Sequence, residues 1–238
     1  MATESTTPGV YIKEIALFPP SVAQVETAIP AFIGYTQKDD TGGIPTRITS
    51  LSEYEALFGD AIPKKVKINV TDLTTNPVKI EFADDADKPV LRTFMYYSIQ
   101  HYFINGGGPC YILSVGADTE EPDGGELEDG LKKLESYDEP TLIVIPDAVL
   151  LTDAVGYGLM NKALDQCAKL QDRFIIMDVK AVSDTQQLDD EGTPVGLLTP
   201  IQSFRQAING DIEKAKYGAA YYPFLKSTLS HNFSDDNQ

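Results

Sequence analysis

Two cysteines, two histidines and no tryptophan occur in the 238 residues of this chain. With His101 and His231 alone, there is no paired-histidine spacing, no HExxH and no CxxC, so a zinc centre is not expected. Cys110 opens a predicted strand and Cys167 falls within a predicted helix. Both read as small buried hydrophobes, and a cytosolic start argues against a disulfide. Positive charge is scarce as well: 19 Lys and Arg face 36 Asp and Glu, for a net charge of −17. Such a surface repels DNA, RNA and anionic lipid at long range. The largest basic cluster is only "PKKVK" at 63–67. Long apolar runs are missing too. "TLIVIP" and "AVLL" are far too short to span a bilayer. The N-terminus "MATESTTPGV" has neither a basic start nor an apolar stretch, so no secretory signal is expected. The expectation from these absences is synthesis in the cytosol, with an outside location reached only by lysis or within a larger particle.

What is present is enough apolar material, 42% of residues, for a buried core. "VYIKEI" (10–15) alternates like a strand but has no hairpin partner nearby. The proline-rich "ALFPPSVAQVETAIP" that follows stops both helix and central strand, so the pair reads as an arm. "AFIGYT" (31–36) reads as a buried strand, "TGGIPTRITS" as a loop, and "SLSEYEALFGD" as a short helix capped by Ser50 or Ser52 and stopped at Gly59. Two alternating runs between 64 and 82, joined by "TTNP", predict a hairpin.

From residue 91 onward, helix and strand alternate. A helix over 91–104 presents Leu91, Phe94, Met95, Ser98, Tyr102 and Phe103 on one face. The strand "CYILSV" follows, then a helix with Leu127, Leu131 and Leu134, and then "TLIVIPD", read as buried on both faces. The longest helix starts at Thr152 or Asp153 and carries the stripe Val155, Leu159, Ala163, Cys167, Leu170. "RFIIMDV", the helix "TPIQSFRQAING" and the strand "YGAAYYPFL", stopped by Pro223, complete the series. The expected fold is α/β, a mainly parallel sheet flanked by helices, with an N-terminal extended arm and an inserted β-hairpin. The expected organisation is an arm and linker at 1–24, an α/β domain at 25–225 with the insertion at about 60–90, and a polar tail at 226–238.

The triple glycine in "HYFINGGGPCYILSVG" follows a helix and precedes a strand. A phosphate loop needs the opposite order, because a helix C-terminus repels phosphate. Gly106 to Gly108 therefore read as a helix stop. Asp147 and Asp178 stand at predicted strand ends, where a metal or an acid–base pair could sit, but caps of the following turns are the simpler role. "ADDADK" (83–88) lacks the glycine and distal glutamate of a calcium loop. Ser114 and Ser183 lack a GxSxG elbow. Tyr96, Tyr97, His101, Tyr102 and Phe103 form an aromatic cluster that suits core or interface packing. No catalytic, metal-binding or cofactor-binding residue is expected.

Six stretches occur in one order: "TPGVYIKEI", "VETAIPAFIGYT", "HYFINGGGPCYILSV", "LIVIPDA", "RFIIMDV" and "KYGAAYYPFL". Together they resemble the contractile tail sheath family of phages and of phage-tail-like extracellular injection systems, without that family's C-terminal domain. The resemblance implies a structural subunit rather than an enzyme. It implies hexameric rings stacked helically around an inner tube, meeting baseplate and cap components, and contracting to drive the tube through a target envelope. Val10, Tyr11, Ile12, Lys13, Glu14 and Ile15 match the family's arm, a strand donated to a neighbouring copy. It implies no nucleic-acid partner and no membrane insertion, and a place in a virion or released particle. Two alternatives stand beside it: a non-contracting sheath-derived adaptor or cap protein, and an α/β metal-dependent enzyme using Asp147 and Asp178.

Overall fold

The computed structural model describes residues 28–61, 68–72, 79–82, 93–118, 121–180, 200–208, 211–230 and 232. The expected arm at Val10–Ile15, "ADDADK" and Ser183 lie outside them.

The strands β1 (Pro30–Thr36), β5 (Cys110–Ala117), β6 (Leu142–Val144), β7 (Phe174–Asp178) and β8 (Gly218–Tyr221) run parallel, and β2 (Thr46–Ile48) pairs antiparallel with β5 at one edge. The order is β2-β5-β1-β6-β7-β8. Numbered among the parallel strands alone, this is the 2-1-3-4-5 order of a doubly wound sheet, whose direction reverses between β1 and β6. β3 (Ile68–Asp72) and β4 (Lys79–Phe82) form the expected antiparallel hairpin, a separate two-stranded sheet.

β1 is buried along its whole length, as its unbroken apolar pattern requires. Alternation splits its side chains between two cores. Ala31, Ile33 and Tyr35 join Leu113, Ile143 and Ile175 under α3 (Gly124–Leu134), α4 (Asp153–Leu170) and α5 (Pro200–Ala207). Phe32 joins Ile112 and Cys110 under α1 (Leu51–Phe58) and α2 (Met95–Ile104). The short α6 (Ile212–Ala215) leads into β8.

The helix ends follow local chemistry. Ser50 accepts from the Glu53 amide and caps α1; Gly59, at φ 87°, stops it. Asp123 accepts from the Gly125 and Glu126 amides and caps α3. Gly106, at φ 84°, ends α2, with the Gly107 amide bonded to the Tyr102 carbonyl. The glycines are thus a helix stop, as expected. Both cysteines are buried and unpaired, and burial pushes each thiol up to about 12.

Several expectations need correction. "TGGIPTRITS" is not all loop: Thr46–Ile48 adds a strand to the sheet edge, too short for a periodic signal. α2 buries Met95 and Ile99, while Ser98 stays partly exposed, because the sheet rather than the helix pattern selects the face. In α4 the stripe is rotated: Val155 is exposed, and Tyr157, Met160 and Leu164 are buried beside Leu159, Ala163 and Cys167. β6 and β7 are not sealed on both faces; Leu142, Val144, Phe174 and Ile176 are only half-buried.

Arg173 shows how the α3 side is fastened. Its side chain is fully buried, its guanidinium donates to the Leu134 carbonyl (3.0 Å) and the Tyr137 carbonyl (2.8 Å), and Nε meets Asp172 (2.8 Å). Carbonyls at a helix C-terminus have no partner within the helix, so a buried cation there satisfies them. Arg173→Met is expected to lower stability by about 2–4 kcal/mol, since two acceptors lose a charged donor. Urea denaturation at constant m-value would measure it.

Candidate functional site

In an open parallel sheet, ligands bind outside the carboxyl ends of the strands where the order reverses. Here that position lies between β1 and β6, and Asp147 occupies it. The residue sits in the 3-10 turn Pro146–Leu150 that directly follows β6 and is fully buried. Its Oδ2 accepts from the Tyr35 amide at 3.0 Å, and its Oδ1 accepts from the Phe94 amide at 2.5 Å. Asp147 therefore does not cap its own turn. It joins the end of β1 to the start of α2. Gly34 makes the approach possible: a Cβ there would stand 2.7 Å from Oδ2 and 3.1 Å from the Met95 sulfur.

Burial raises the Asp147 carboxyl to about 6, the two amides pull it back down, and the charge of Asp118 adds a smaller upward push. Asp118 follows β5 at the same end of the sheet. Desolvation raises it to about 6 as well, and its Oδ1 is buried without a hydrogen-bond partner. Tyr54, almost fully buried on α1, is raised by burial first and then by both carboxylates. No cation acts on either carboxylate among the described residues.

Both folded-state values lie above the ordinary 3.8, so the folded chain holds these protons more tightly than the unfolded one. The stabilisation is full below about pH 4 and is lost as pH rises through about 6. Asp118→Asn removes one member of the pair. It is expected to raise stability at pH 7.5 by about 1 kcal/mol, a figure reduced for partial solvent screening, and to change nothing at pH 4. Thermal melts of both proteins at the two pH values would show it.

Asp178 closes β7 farther along the same end of the sheet. It is half-buried, desolvation alone raises its carboxyl, and it has no hydrogen-bond or ion-pair partner among the described residues. An open cleft of about 600 Å³ lies beside it, walled by Phe94, Val149, Leu150, Phe224 and Leu225.

This arrangement offers little to catalysis. Among the described residues no group of three or more His, Cys, Asp or Glu could hold a metal ion. Both oxygens of Asp147 are engaged by backbone amides, which leaves it poorly placed as a ligand or base. Ser114, buried, is hydrogen-bonded to Thr36 at 2.6 Å rather than to a base. The aromatic cluster packs on itself and the core: Tyr96 meets Tyr54 and Tyr97, and Tyr102 meets Phe32 and Phe103. No described helix is long and apolar enough to cross a membrane. Sequence reasoning found Asp147 and Asp178 but missed Asp118. Its one signal was its place at the end of "CYILSVGAD", a carboxylate closing an apolar strand.

No family model and no curated relative matches this sequence. Solved structures do. A chain of the anti-feeding prophage (AFP) baseplate in the contracted state aligns over 97% of this chain and 50% of its own, at 20% identity and a TM-score of 0.58. A chain of the AFP helical sheath in the contracted state covers 92% of this chain and 46% of its own, at 23% identity and a TM-score of 0.45. A chain of the six-fold symmetrised AFP baseplate covers 92% and 47%, at 26% identity and a TM-score of 0.47. The chain thus spans about half the length of the solved chains it matches. The first of these likenesses shows a shared fold.

Proposed function

We propose that this chain is a structural subunit of a contractile, phage-tail-like injection particle and, within it, a component of the sheath. The observation that carries the reading is the fold shared, over nearly the whole of this chain, with a chain of the AFP baseplate in the contracted state. Two features of the molecule support it. The position where a doubly wound sheet would hold a ligand is filled by a carboxylate bonded to backbone, so the sheet serves as a rigid body. The six stretches that resemble the sheath family draw on all five parallel strands of the sheet.

On this reading, copies of the chain form stacked rings around an inner tube, contact baseplate and cap components, and shorten by repacking rigid domains against one another. Residues Val10–Ile15 are a strand donated to a neighbouring copy. The protein acts as part of a particle, virion or released, and performs no catalysis. A second reading is favoured by the origin of that solved chain in a baseplate: a non-contracting, sheath-derived adaptor at one end of the particle. Gold labelling of an epitope-tagged chain in purified particles separates the two. Label along the whole shaft is expected for a sheath component, and label confined to one end for an adaptor. Absence of the chain from every particle preparation overturns both.

A further inference from the structure

Among the described residues, the two faces of the sheet are covered unequally. α3, α4 and α5 lie over one face. On the other, α1 and α2 lie over β1 and β5, while Leu142, Val144, Phe174, Ile176 and Asp178 remain half-buried. After β8 the chain runs from Tyr222 to Ser230 without helix or strand, bringing Phe224 and Leu225 to the rim of the 600 Å³ cleft. Leu150, Phe224 and Leu225 on that rim are 37%, 47% and 88% exposed.

Within these apolar walls the charges do not balance. Lys180 lines the cleft, but its ammonium already donates to the Leu151 carbonyl at 2.8 Å and meets Asp153 at 3.0 Å. Asp178 has no such counterpart among the described residues, and only desolvation acts on it. A half-buried carboxylate without a partner is costly, and so is apolar surface left in water. A ligand that brings a cation and an apolar group together relieves both. An anionic or purely apolar ligand relieves one of the two at most.

We propose that this cleft is a docking site for a segment of a partner chain in which an apolar side chain stands next to a lysine or arginine. The cation pairs with Asp178, and the apolar side chain lies between Leu150 and the Phe224–Leu225 rim. The source of the partner rests on assembly into a particle; the chemistry of the cleft stands apart from it.

The test is a titration of the full ¹⁵N-labelled chain at pH 7.5 with the peptide Ac-Leu-Arg-Leu-NH₂ and its counterpart Ac-Leu-Glu-Leu-NH₂, followed by NMR. The arginine peptide is expected to cause saturable shifts at the amides of Leu150, Asp178, Lys180 and Leu225, and the glutamate peptide to bind at least tenfold more weakly. Asp178→Asn, which removes an unpartnered charge and leaves the fold intact, is expected to weaken the arginine peptide at least fivefold. Leu150→Glu tests the apolar wall independently and weakens both peptides. Equal affinity for the two peptides, unchanged binding to the Asp178→Asn chain, or no saturable shift at these amides overturns the proposal. A missing peptide response leaves the particle assignment standing, and a chain absent from particles leaves the cleft chemistry standing, so the two failures are distinguishable.

Discussion

Replacing Asp147 with alanine is expected to cost about 2–5 kcal/mol of stability at pH 5, because two buried amides lose their acceptor at once. The loss should narrow at pH 7.5. There the wild-type carboxylate is ionised and carries its own burial penalty, consistent with a value raised to about 6. That penalty amounts to at most about 3 kcal/mol, since each tenfold change in proton affinity is worth about 1.4 kcal/mol. The wild type should therefore gain stability as pH falls from 7.5 to 5 while Asp147→Ala gains less. Asp147→Asn keeps one acceptor oxygen and should fall between the two, with a flatter pH profile. The chain's net charge of −17 also relaxes on acidification in every variant, so the comparison between variants carries the information. Chemical denaturation at both pH values, with the m-value checked, provides the measurement. An alanine variant as stable as the wild type at pH 5 would mean that Asp147 does not hold β1 to α2. Gly34→Ala should produce a milder version of the same defect, since its methyl group would displace the carboxylate from the Tyr35 amide.

The second large effect concerns assembly rather than folding. On the proposed reading, in which the arm pairs with a neighbouring copy rather than with its own core, deleting residues 1–15 is expected to leave the monomer's melting temperature within about 2 °C. On that reading, the same deletion should raise the protein concentration needed to form rings or tubes by roughly a hundredfold. A six-residue strand contributes about four backbone hydrogen bonds of about 1 kcal/mol net each, and ordering the arm offsets part of that. One graft is weak, but in the proposed assembly every subunit repeats it, and linked contacts multiply. Sedimentation and negative-stain microscopy of the full and shortened chains would read the difference. Equal assembly of both would remove the donated strand from the account. A milder variant, Tyr11→Pro with Lys13→Pro, removes backbone donors without shortening the chain and should reproduce much of the defect.

The two experiments separate two levels of organisation. Asp147 acts inside one subunit, where a satisfied carboxylate keeps the sheet and α2 moving as one body. On the proposed reading, residues 10–15 act between subunits. A particle that shortens by sliding rigid bodies, as proposed for this chain, needs both, since small shifts at an interface are transmitted only if the bodies do not themselves deform.

Local chemistry made much of this molecule legible from residue order alone. Ser50, Gly59, Gly106 and the Leu127–Leu131–Leu134 stripe act within a few residues of themselves, so the ends of α1 and α2 and the buried face of α3 could be read directly. So could the hairpin, the parallel α/β class and the reading of the triple glycine as a stop. Tertiary structure alone decided the rest, because the deciding contacts join residues far apart in the chain. The hydrogen bonds of Asp147 span 112 and 53 positions, and no window of sequence contains both ends. Strand order, the pairing of the three-residue β2, the rotation of α4 and the half-buried side chains on the Asp178 face of β7 depend on which surfaces meet, and side-chain periodicity records only that some surface is buried, not which one covers it.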